Sequence, residues 1–272
     1  MPLRLPRYLI GSALAALSAA ASGQALPAGV DCTDIPGTEP VLAAGRIVMV
    51  GELHGTNEMP AEFLRLVCSA LRRGQAVSVG LEMFDPNGAL GAYMSSLGDS
   101  GARQALLAAR HWNGMRDGRS SVAWLDMIET LRSWRQGGLP LTVFALYDAP
   151  GPGSYDQAMA ARLRGERSAR PGTLILTYTG NVHSMLKPVP GLPAPMGSLV
   201  ADLDPVSIGL SSEGGQSWAC MGAGPCGVNE FPAQPAKGPL HAAAPAAQTG
   251  VYTLQLNVGR MTASPPAVPV TP

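Results

Sequence analysis

RIVMVGELHG, residues 46–55, sets an apolar run against a glycine, a glutamate and a histidine. Ile47 to Val50 lack the polar alternate positions of a half-exposed strand, so they read as a strand buried on both faces. Gly51, Glu52, Leu53 and His54 follow at once. TLILTYTGNVH, residues 173–183, repeats the arrangement: an apolar run, then Gly180, Asn181, Val182 and His183. A glycine where a strand ends permits a sharp exit and close approach of a ligand.

Working outward, AVSVGLEMF (76–84) and LTVFALYD (141–148) read as two further buried strands. Segments of helical period separate the strands. MPAEFLRLVCSALRRG (59–74) brings Phe63, Leu66, Val67, Ala70 and Leu71 to one face, and Gly74 stops it. Residues 88–110 form a helical region rich in small and apolar side chains. SSVAWLDMIETLRSWRQGG (120–138) lines up Trp124, Ile128, Leu131 and Trp134 behind serines able to cap its start. SYDQAMAARLRG (154–165) is a further helix. Strands alternating with helices predict an α/β fold with a mostly parallel central sheet flanked by helices.

The pattern changes beyond residue 198. SLVADL, VSIGLSS and VYTLQLNV read as shorter added strands in the C-terminal third. The Pro/Ala-rich stretch 229–249 reads as a long loop, and the proline-rich tail 261–272 as disordered. Residues 26–45 read as an exposed lead-in, so a single domain is expected over 26–260.

The composition narrows the function. Hydrophobic residues make up 46% of the 272, which excludes a disordered chain. Nineteen basic residues balance nineteen acidic ones, and no basic stripe extends beyond Arg72-Arg73, so nucleic acid is not an expected partner. Arg4 and Arg7 followed by LIGSALAALSAAA (9–21) read as a cleavable signal peptide, residues 1–25. The apolar stretch is too short for a membrane span, and no lipobox precedes Cys32. A periplasmic or secreted location is therefore expected. Export would place the four cysteines in an oxidising compartment, where disulfides persist. Cys220 with Cys226 would close a short loop, and Cys32 with Cys68 would tie the mature N-terminus to the first helix.

Ligands of an open parallel sheet bind beyond the carboxyl ends of the strands. The residues expected there are Glu52 and His54, then Glu82, then Tyr147 and Asp148, then Asn181 and His183. Such a set can hold a divalent metal through His54, Glu82 and His183. It can also work without metal, with histidine as general base and glutamate orienting it. Asp117 and Arg119 lie in a glycine-rich turn that can cap a helix or bind an anion. Asp156 can cap its helix or reach the site. His111 reads as structural and His241 as exposed. Tyr147 and Tyr178 lie near strand ends, where packing or haem ligation would use them.

GELHG (51–55), GLEMFD (80–85), WNGMRDGRSS (112–121), YDQAMAARL (155–163) and GNVH (180–183) together resemble the superfamily of ChaN haem-uptake proteins, Tiki and TraB proteins and erythromycin esterases. The resemblance spans about residues 46–220 and is greatest to the bacterial ChaN-like branch. Tyr155 stands where that branch places an arginine, and Arg119 is the alternative source of positive charge. The resemblance implies either a hydrolase, of peptidase or esterase type, or a haem- or iron-binding protein without turnover. In the hydrolase reading, Glu52 or Glu82 activates water and Asn181 or Arg119 stabilises an oxyanion. The implied cofactor is a divalent metal ion or, alternatively, haem. The implied partner is a small molecule, a peptide or haem.

Overall fold

The computed structural model describes residues 32–114, 116–148, 153–220, 225–247 and 250–269. The signal-peptide segment and residues 270–272 of the tail lie outside them. Strands β1 (Ile47–Glu52), β2 (Val77–Phe84), β3 (Leu141–Tyr147), β4 (Leu174–Gly180), β5 (Val206–Ser211), β8 (Ala243–Pro245) and β9 (Leu254–Asn257) form a seven-stranded sheet in the order β3-β2-β4-β1-β5-β9-β8. Every neighbouring pair is parallel except β8 with β9. A separate antiparallel hairpin pairs β6 (Gly215–Cys220) with β7 (Cys226–Phe231). The α/β architecture and mostly parallel sheet are those expected from the sequence.

The apolar runs are continuous because both faces of the sheet are covered. Val48 and Val50 face a large core built with α1 (Glu58–Arg72), α2 (Ala89–Ser95), α3 (Ser100–Ala108), α4 (Arg110–Gly114) and α5 (Val122–Gln136). Ile47 and Met49 face a smaller core with α6 (Tyr155–Ala169) and α7 (Met196–Leu199). Ser121 caps α5 by accepting from the Trp124 N–H, and Ser154 and Gln157 form a capping box on α6. No helix among the described residues is long and apolar enough to cross a membrane.

The region 88–110 is helical as expected, built as three short helices, the last of which runs to Gly114. Several local expectations are corrected. SLVADL is not a strand: it is α7 followed by a 3-10 turn, Ala201–Leu203. Met196 and Val200, four residues apart, bury one helical face in the smaller core, and Pro195 and Pro205 bracket the segment. The lead-in is not wholly exposed, since Ile35 and Leu42 are buried. Stretch 229–249 carries the end of β7 and all of β8. The described residues of the tail, 261–269, pack against the rest of the chain. They bridge Thr56 through Ala263 and Ser121 through Pro266, and Ser264 is buried. Proline cannot donate a hydrogen bond but it accepts one, and the Pro265 carbonyl takes the Val122 N–H.

The disulfides are Cys32–Cys68 and Cys220–Cys226, the pairing expected. The first ties the start of the described chain to α1. The second closes the β6–β7 hairpin.

Candidate acid–base site at the sheet rim

β1 and β4 are neighbours, and their register sets Gly51 opposite Thr179 and Glu52 opposite Gly180. The two glycine–x–x–histidine motifs therefore leave the sheet side by side. The Asn181 N–H donates to the Glu52 carbonyl, which extends the ladder one step beyond β4. β2 lies on the other side of β4 and brings Glu82 to the same rim.

Three buried carboxylates organise the site. Glu52 accepts from His54 Nδ1 at 2.7 Å, from Trp124 Nε1 at 2.9 Å and from the Tyr178 hydroxyl at 2.5 Å. Asp156 Oδ1 accepts from His183 Nδ1 at 2.8 Å and from the Met196 N–H at 2.7 Å. Each histidine thus donates backward through Nδ1 to a fixed carboxylate, which leaves Nε2 as the nitrogen without that bond. Both Nε2 atoms face Glu82: His183 at 3.5 Å from Oε1 and His54 at 3.9 Å from Oε2.

Glu82 is fully buried. Its Oε1 accepts from Arg119 Nη1 and its Oε2 from the Gly180 N–H, both at 2.6 Å. Arg119 is clamped in turn by Asp117, which takes its Nε and Nη2 groups. The Tyr155 hydroxyl lies 3.4 Å from Arg119 Nη1. Arg119 therefore places a guanidinium beside the tyrosine that stands in for the expected arginine.

The electrostatics follow from these contacts. Burial disfavours the imidazolium of His54, but the Glu52 carboxylate and then Glu82 outweigh it, so its pKa is raised. Burial opposes charge on His183 too, and the hydrogen bond to Asp156 with the Glu82 charge again raises its pKa. Burial would keep Glu82 protonated, yet His54, His183 and Arg119 hold its carboxyl below the usual value. Burial raises the Tyr178 phenol well above its ordinary value, and the Glu52 charge beside it adds to this.

His111 has a different role. Its Nδ1 accepts from the Phe84 N–H and its Nε2 donates to the Arg119 carbonyl, so it is a neutral imidazole. Burial depresses its pKa to about 4. It is structural, and it holds the 117–119 turn against β2.

The geometry bears on the proposed metal ligands. Both Glu82 oxygens are already engaged, and a fixed guanidinium sits 2.6 Å from one of them. A divalent cation bound to Glu82 would have to lie against that positive charge. Among the described residues, no group of three or more His, Cys, Asp or Glu side chains is arranged to hold a metal ion. The donor set does not fit a metal. The two tyrosines expected from the sequence as haem ligands are held in different ways. The Tyr178 hydroxyl is buried on Glu52, and the Tyr147 ring packs between Phe84 and Tyr155.

Glu52, His54, Glu82, Asp117, Arg119, Asp156 and His183 come together as one cluster. Asn181 does not join it: its backbone is engaged, but its exposed side chain makes no hydrogen bond to the dyads or to Glu82. Asp148 lies away from the site, paired with Arg162. His241 is exposed, as expected, and its Nδ1 is bonded to the buried Glu62. Trp124 was missed as a functional residue. It was read as one more apolar position on an amphipathic helix, and only its indole N–H could have suggested a polar task.

No family model matches this sequence, and no curated protein matches it. Solved structures do. A succinoglycan biosynthesis protein superposes with a TM-score of 0.62 at 12% identity, over 89% of this chain and 96% of its own. A protein from Bacillus cereus gives 0.60 at 11% identity, over 88% and 94%. A variant of the erythromycin esterase EreC, in its open conformation, gives 0.52 at 12% identity, over 85% and 79%. This chain shares the fold of these structures, the erythromycin esterase variant among them.

Proposed function

We propose that this protein is an exported hydrolase of the esterase or peptidase type, working by metal-free acid–base chemistry. The observation that carries the reading is the pair of histidines, each backed by a buried carboxylate through Nδ1, with both Nε2 atoms turned to one carboxylate. Two disulfides support an oxidising compartment.

His54 in its neutral form is the base. Nε2 takes a proton from water as the water oxygen bonds to the substrate carbonyl carbon. Glu52 stabilises the imidazolium that forms. His183, held charged by Asp156 and Glu82, gives its proton to the leaving group as the old bond to carbon breaks. Arg119 keeps Glu82 ionised. Dissociation of the product and proton exchange with solvent restore both histidines.

The test is hydrolysis of 4-nitrophenyl acetate by the mature protein, with and without EDTA, beside His54→Ala and His183→Ala. The expected result is activity that survives EDTA and falls about 100-fold or more in either variant. Activity abolished by EDTA and restored by zinc would overturn the metal-free reading. Activity indifferent to His54→Ala would overturn the base assignment.

A further inference from the structure

A concavity lies along the same rim, beyond the carboxyl ends of β1, β4 and β5 and beside the start of β9. Its volume is about 520 Å³, within the size range of small-molecule sites. It adjoins the acid–base cluster through the chain itself. Leu53 lines it and precedes His54; Asn181 lines it and follows Gly180, whose N–H holds Glu82. The opposite walls come from the segments after β7 and β8, so the C-terminal third of the chain builds it.

The lining defines the ligand. Leu53, Met185, Leu210 and Phe231 supply apolar surface. Asn181, Gln234 and Gln255 supply amide groups whose side chains make no hydrogen bond among the described residues. Among the described residues, no aspartate or glutamate lines the cavity, and Lys237 is its one charged side chain. Tyr252 forms part of the wall beside Gly209, where any larger residue would strike its ring, and its hydroxyl is fixed on the Asn181 carbonyl at 2.9 Å. Burial pushes that phenol up to about 12, so it stays neutral.

We infer that this cavity binds the non-reacting body of the substrate, and that this body is amphipathic and either uncharged or singly negative. The inference rests on the hydrolase reading for its role in turnover, and on the cavity lining alone for the class of ligand. It gives the exposed Asn181 a task that the acid–base cluster does not.

The test uses the full mature protein and two probes. The first is 8-anilinonaphthalene-1-sulfonate, an apolar monoanion followed by fluorescence. The second is a pair of 4-nitrophenyl esters, acetate and hexanoate. Ala247→Trp fills the cavity from an exposed position, and Lys237→Glu reverses the charge of an exposed side chain. Wild-type protein is expected to bind one sulfonate per chain, Ala247→Trp at least tenfold more weakly, and Lys237→Glu at least threefold more weakly. His54→Ala is expected to bind it like the wild type. Ala247→Trp should also raise KM for the hexanoate far more than for the acetate. No sulfonate binding by the wild type, or equal binding by Ala247→Trp with an unchanged thermal midpoint, would overturn the proposal. If sulfonate binds as expected but neither ester is hydrolysed, the hydrolase reading falls with the cavity's role in turnover, while the ligand class stands.

Discussion

Gly180 makes room for His54: a β-carbon on Gly180 would stand 2.9 Å from His54 Nε2 and 3.4 Å from His183 Cδ2. The glycine is thus a spacer between two imidazoles, not simply a flexible exit from β4. In Gly180→Ala the His54 ring must turn away, which breaks its 2.7 Å bond to Glu52. The expected outcome is a fall of about tenfold or more in kcat/KM with the fold intact, since a small misplacement of a catalytic group costs this much. Ester hydrolysis beside a thermal melt checks it. An active alanine variant would mean that His54 is not held where its base role needs it.

The raised pKa of His54 sets a pH dependence. A base must be neutral and an acid charged, so the rate should rise with pH through a midpoint higher than the ordinary histidine value of 6.5 and fall again as His183 loses its proton. Glu52→Gln removes the main group that raises it, so the midpoint should move to lower pH while kcat falls. For stability the signs are as follows. The contributions of His54 and His183, whose pKa values are raised on folding, are fully present below about 6.5 and are lost as pH rises through the folded values. Glu82, whose pKa is lowered, contributes above its ordinary 4.5 and loses that as pH falls through its depressed value. The cluster should therefore stabilise most between these limits. Urea midpoints across pH in wild type and His183→Ala test it: a difference that grows with pH would contradict the sign.

Arg119 and Glu82 form a buried pair in which neither is easily lost alone. Arg119→Met leaves the Glu82 carboxylate with the Gly180 N–H and the two histidines but no fixed positive charge, and the expected cost is about 3 kcal/mol. Replacing both, as Arg119→Met with Glu82→Gln, removes the uncompensated charge and should recover much of that loss. Urea unfolding of the four proteins in the cycle gives the coupling. Additive effects would show that the pair is not coupled.

How much of this was legible in the sequence depends on the range of each signal. The strands were legible because Ile47–Val50 and Leu174–Leu176 are buried on both faces and so are apolar without interruption. The rim residues were legible because a parallel sheet sends every strand end to one side. The back-side partners of Glu52 were not. Trp124 and Tyr178 lie 72 and 126 residues away, and each sits in a run whose apolar pattern explains it fully. Asp156 could be read as a helix cap, and only the fold shows that Ser154 caps the helix and frees Asp156 for His183. The β6–β7 hairpin and the cavity beside it depend on contacts between segments with weak local patterns.

The tail misled for a physical reason, and it supplies the last prediction. A proline-rich segment has few N–H groups, so it cannot build a strand ladder, and composition alone reads it as disordered. Docking here uses the tail's carbonyls and hydroxyls as acceptors beside the N–H groups it does have. The Thr262 carbonyl takes the Asn57 N–H and the Pro265 carbonyl takes the Val122 N–H. The Ser264 hydroxyl takes the Ala123 N–H at 2.9 Å, and its own N–H donates to the Gly55 carbonyl. These contacts fix both the turn after His54 and the start of α5, the helix that carries Trp124. Removing residues 261–272 frees both ends of the Glu52 network at once. The truncated protein should melt several degrees lower and lose activity beyond its loss of fold at the assay temperature. Ser264→Ala, which removes one cap-like bond of about 1 kcal/mol, should show a fraction of the same effect. A truncated protein with wild-type activity and melting temperature would show that the tail only lies against the site and does not hold it.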